Sequence, residues 1–68
     1  MMPKRSIVIG EHKTSVSLEQ EFWDEFCNIA QTEGITYSAL AERISKRMTG
    51  SNLSSAIRVF LFKHVKNH

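Results

Sequence analysis

Residues 13–18 read KTSVSL, with Val16 and Leu18 on one side of an alternating pattern and Lys13, Ser15 and Ser17 on the other. A period of two predicts a β-strand, because successive side chains point to opposite faces. From about Glu19 the period lengthens. Phe22, Phe26, Ile29 and Ala30 continue from Leu18 at helical intervals, with Trp23 and Cys27 beside them. Glu19, Gln20 and Glu21 suit the positive end of a helix dipole, and Ser17 with Gln20 has capping-box spacing. Gly34 is placed to end this helix with a positive φ.

Thr36 can cap a second helix, with Tyr37, Leu40, Ala41, Ile44 and Met48 as its apolar stripe, Arg43, Lys46 and Arg47 opposite, and Gly50 closing it. Asn52 can cap a third helix running to about Lys66. Leu53, Ala56, Ile57, Phe60, Leu61 and His64 share one face of it, and Val59, Phe62 and Val65 carry the apolar arc well beyond a single stripe. So much exposed apolar surface calls for a second subunit.

Upstream, RSIVI is β-branched and apolar, and GEHK after it carries a turn signal. Two arrangements fit: a hairpin of residues 5–9 with 13–18, or a loose arm followed by one strand. The second strand is the one expected to be structured, so residues 1–12 read as a basic arm or extra strand, 13–66 as the domain and 67–68 as a tail.

At 68 residues the chain is one small domain with a marginal core. Cys27 is the only cysteine, so no internal disulfide supports the core, and the His and Cys spacings do not mark a metal site. Oligomerisation is the remaining support. Without a long apolar run or a secretory leader, the chain is expected to be soluble and cytoplasmic, with no membrane partner. The formal net charge is only +2, but its distribution is uneven. Lys4, Arg5 and Lys13 lie near the start, six acids and no Lys or Arg lie between Thr14 and Glu42, and six cations follow with no further acid. Basic ends gathered on one surface would attract a polyanion. No nucleophile–base grouping, paired-carboxylate site or Gly-rich phosphate loop emerges, so neither an enzyme nor a cofactor is expected.

The order strand, acidic amphipathic helix, glycine and capped final helix, with TSVSLE at one end and NLSSAIRVF at the other, resembles the ribbon-helix-helix family of DNA-binding repressors over residues 4–66. The resemblance implies a mainly α fold with a short β-strand. It implies an intertwined homodimer in which the strand pairs with its copy in a second subunit; the chain departs from the family's two-helix pattern in TYSALAERISKRMTG, which reads as an additional helix between the two family helices. It implies a ribbon in the major groove of double-stranded DNA with Lys13, Ser15 and Ser17 on the bases, a geometry and chemistry the groove admits. Asn52, Ser54, Ser55 and Arg58 would meet phosphate at the start of the last helix, with Lys4 and Arg5 adding charge. Val16, Leu18, Phe22, Phe26, Ile57, Phe60 and Leu61 would form the dimer core. Dimers would assemble further along DNA, and the protein would be nucleoid-associated when bound.

Two alternatives stand beside this reading. TYSALAERI, TGSN and LSSAIRVF can be taken as helix-turn-helix, with Ser54, Ser55 and Arg58 as groove readers. The chain can also be taken as an antitoxin-like or adaptor dimer with a protein partner, although it ends at His68 without the tail such antitoxins usually carry.

Overall fold

The computed structural model describes residues 4–47 and 52–66. Met48 and Gly50, assigned above to the end of the second helix, and the tail 67–68 lie outside the described residues. Two strands, β1 (Lys4–Ile9) and β2 (His12–Ser17), precede three helices, α1 (Gln20–Thr32), α2 (Tyr37–Arg47) and α3 (Leu53–Lys66).

The strands pair antiparallel within the chain, with Ile9 opposite His12 and Lys4 opposite Ser17. A two-residue turn of Gly10 and Glu11 joins them. Gly10 has φ 62 and Glu11 does not share the positive sign, as in a type II′ turn, which places its glycine first. β2 therefore has a partner inside its own chain, and the loose-arm arrangement gives way to the hairpin. The run Ile7-Val8-Ile9 conceals the alternation that the pairing makes plain: Arg5, Ile7, Thr14 and Val16 share the inward face, while Lys4, Ser6, Val8, Lys13, Ser15 and Ser17 share the outward one.

Ile7 and Val16 carry the hairpin onto the helices. Each is almost completely buried, together with Leu18 between β2 and α1 and Phe26, Ile29 and Ala30 of α1. α2 adds Leu40, Ala41 and Ile44, and α3 adds Leu53, Ile57 and Leu61. The second helix is central to this packing, since α2 touches β1, α1 and α3, while α3 touches β2.

The helix ends follow local chemistry. The Thr36 hydroxyl accepts from the Ala39 amide at 3.1 Å, and the Asn52 side chain accepts from the Ser55 amide at 3.2 Å. At the end of α1 the Gly34 amide donates to the Gln31 carbonyl and the Ile35 amide to the Ala30 carbonyl, the paired bonds of a Schellman motif. The capping box expected of Ser17 and Gln20 does not form. Ser17 is still strand, Glu19 is the N-cap without a side-chain cap bond, and the Gln20 side chain donates through Nε2 to the Asp24 carboxylate.

Gly34 has φ 73, and a Cβ built on it would meet nothing within 4 Å. Gly34→Ala is therefore expected to lower stability through the backbone alone, by about 1–2 kcal/mol. Chemical denaturation would measure this as a lower midpoint with an unchanged slope.

Candidate nucleic-acid interface

The hairpin's pleat determines which sequence-predicted residues share a surface. Lys13 and Ser15 are exposed on the outward face, and Ser17 lies on it partly buried. Lys4, directly across from Ser17, is exposed on that face as well. Arg5 falls one residue out of phase with Lys4 and turns inward. Its guanidinium lies 4.7 Å from the Trp23 ring centroid and donates to the side-chain oxygen of Gln20 at 2.8 Å, while its Nε is buried without a hydrogen-bond partner. That side chain braces the hairpin against α1, apart from the outward cations.

The start of α3 is fastened to the end of the ribbon. The Ser17 amide donates to the Ser54 hydroxyl at 3.0 Å, and Arg58 donates to the Ser17 carbonyl at 3.2 Å. Both main-chain polar groups of Ser17 are thus held by α3. Arg58 also pairs with Glu19 at 3.2 Å. Asn52 and Ser55 stand exposed at the same end of α3, so the outward ribbon and the start of this helix form one connected surface.

Glu19 is ionised at neutral pH. A hydrogen bond with its own backbone is the largest influence holding the carboxyl below its usual 4.5; desolvation opposes this, and the hydrogen bond and charge of Arg58 reinforce it. Burial pushes the Cys27 thiol up from its usual 9.0 against a weaker pull from Arg5, keeping it protonated.

Two of the three cations of α2 are engaged locally, with Arg43 2.7 Å from Glu33 and Lys46 3.7 Å from Glu42. Among the described residues no group of three or more His, Cys, Asp or Glu side chains is placed to hold a metal, and no helix is long and apolar enough to cross a membrane.

The residues expected at a dimer core are divided. Val16, Leu18, Phe26, Ile57 and Leu61 are consumed by the core of the single chain and Phe60 packs against it, whereas Phe22 remains 41% exposed. The large exposed apolar side chains of α3 are instead Val59, Phe62 and Val65, with Phe62 at 68%. At 100° per residue Val59 and Phe62 lie on the side of the helix opposite Leu53, Ile57 and Leu61, and Val65 lies on the flank next to Leu61.

Two outward residues escaped the sequence reading, Ser6 and Val8. Their signal was the parity of β1, legible once the turn is placed at Gly10 and Glu11.

A family model described as a ribbon-helix-helix domain matches residues 2–65, a span that takes in β1 and the whole of α2. No curated protein and no solved structure matches the chain.

Ser54→Ala should remove the partner of the Ser17 amide and cost about 1 kcal/mol, measurable by thermal unfolding. Arg58→Met should destabilise in a pH-dependent way. Because the folded carboxyl of Glu19 is depressed, the part of its stabilisation that Arg58 supplies is complete above the ordinary value of 4.5 and is lost as pH falls through the folded value. The stability gap between native and Arg58→Met proteins should therefore narrow below pH 4.5 in a series of denaturation curves.

Proposed function

The chain belongs to the ribbon-helix-helix family of DNA-binding transcriptional regulators, whose domains bind DNA as dimers, and on that premise we propose that it is a homodimeric repressor reading operator DNA with the outward face of its β-ribbon. The observation that carries this reading is the exposed Lys13 and Ser15 on a strand whose other side is buried. Lysine donates to guanine O6 and N7, and a serine hydroxyl donates or accepts at either base pair. A ribbon of this kind matches a major groove about 12 Å wide.

Phosphate is met at the start of α3, where the first-turn amides and the hydroxyls of Ser54 and Ser55 offer donors at the positive end of the helix. Because Ser54 is bound to Ser17, docking that helix end on phosphate sets the height and angle of the ribbon in the groove. The Arg58 bonds argue against α3 as a groove-reading helix, since that side chain is committed to Ser17 and Glu19.

The second copy covers α3. Val59, Phe62 and Val65 form an exposed apolar face, and burying such side chains is the available source of dimer stability.

Selection of bound sequences from a random duplex pool at near-physiological salt is expected to enrich a short inverted repeat; no enrichment overturns sequence-specific repression. Affinity should fall with salt at a log–log slope of about −0.9 per phosphate contact. Lys13→Ala should weaken binding to the selected site by about 1–3 kcal/mol and blur the preferred base, and unchanged preference would remove Lys13 from the bases. Phe62→Glu should raise the dimer dissociation constant at least about tenfold, as read by sedimentation.

A further inference from the structure

Resting on the dimer of that reading, we propose a register for its ribbon: the two copies of β2 pair antiparallel about Thr14, with Lys13 of each chain directly across from the partner's Ser15. The start of α3 sets this register by occupying both main-chain polar groups of Ser17.

In a two-residue hairpin the residues flanking the turn form a hydrogen-bonded pair. Ile9 and His12 are that pair, so the main-chain groups of His12, Thr14 and Val16 face β1, and those of Lys13, Ser15 and Ser17 face the open edge of β2. Ser17 is already committed there. Its single amide proton goes to the Ser54 hydroxyl, and its carbonyl accepts from Arg58. Lys13 and Ser15, both exposed, direct their amides and carbonyls at the edge that a second copy would join.

A two-fold ribbon built on those groups has few registers. With the dyad at Thr14, Lys13 pairs with the partner's Ser15 and Ser15 with the partner's Lys13, each pair exchanging both main-chain bonds. With the dyad at Ser15 only the central pair forms, because the next on either side would need Ser17. A dyad at Val16 needs Ser17 in every pair. A dyad at Lys13 sets two lysines directly across from each other, where like charges oppose pairing, and carries Ser15 against the turn. The Thr14 register uses both Lys13 and Ser15 and leaves Ser17 to α3.

The outward face gains a defined pattern from this. The two Lys13 side chains become diagonal neighbours, about 7–8 Å apart, each beside a serine of the other chain. Both ammonium groups then enter one short stretch of groove, so the two half-sites abut. Thr14 lies at the dyad on the inward face, partly buried and away from the bases.

Single-cysteine variants in a Cys27→Ser background test this by oxidation in the absence of DNA, read on non-reducing gels. Thr14→Cys is expected to form a disulfide-bridged dimer, since a residue facing its own copy at a non-hydrogen-bonded position has Cα atoms about 4.5 Å apart, within the span of a disulfide. Lys13→Cys and Ser15→Cys proteins, refolded together in equal amounts, should give the mixed disulfide at least about tenfold over either like pair. Both lie on the exposed face, and this mixture carries the test alone should Thr14→Cys fail to fold. A like pair of Ser15→Cys or of Lys13→Cys in excess places the dyad elsewhere and overturns the inference. So does the absence of any bridge in a protein that sediments as a dimer. Either result leaves the repressor reading to stand on duplex selection, whereas the expected bridges with no enriched duplex would keep the register and end the repressor reading.

Discussion

A two-stranded hairpin is marginal in water on its own, so everything the outward face can do depends on the inward face being held. Ile7 and Val16 supply the apolar part of that hold and Arg5 on Trp23 a polar-aromatic brace. The bonds from Ser54 and Arg58 to Ser17 supply the directional part, tying the last strand residue to a helix that begins 36 positions later in the chain. The first fixes which face is wet, and the second fixes how the ribbon is aimed.

The charge distribution follows from that division. Acids concentrated between Thr14 and Glu42 neutralise cations where the helices meet, as Glu33 does for Arg43 and Glu19 for Arg58. Lys4 and Lys13 are left on the ribbon's outward face. A net charge of +2 thus understates the local field available to a polyanion.

The helices, the N-caps of the last two and the glycine that ends the first were legible in the sequence. Thr36 and Asn52 bond the amides expected of N-caps, and Gly34 takes its positive φ, because these signals depend only on near neighbours. The amphipathic parity of β2 was legible for the same reason. What the sequence concealed needed contacts between distant residues. RSIVI declares its strand character but not its partner, and three consecutive apolar residues hide which of them faces inward. Ser17 looked like a helix cap because its neighbours permit one. Its use by Ser54 and Arg58 appears only when α3 packs beside β2. Arg5, grouped with Lys4 by charge, is separated from it by the pleat. Phe22 follows the helical period of α1 yet stays largely outside the core, since a wide apolar arc exceeds what one small chain can cover.

The two-residue connection at Gly10 and Glu11 has an evolutionary consequence. Because side chains alternate strictly, losing one residue within β1 would turn Lys4 and Ser6 toward the interior and Arg5 toward solvent. Length changes there scramble the whole surface at once, while exchanges of individual outward side chains leave the scaffold intact. Diversification of such a surface among descendants is therefore confined to point replacement, with insertions and deletions diverted to the segments between helices.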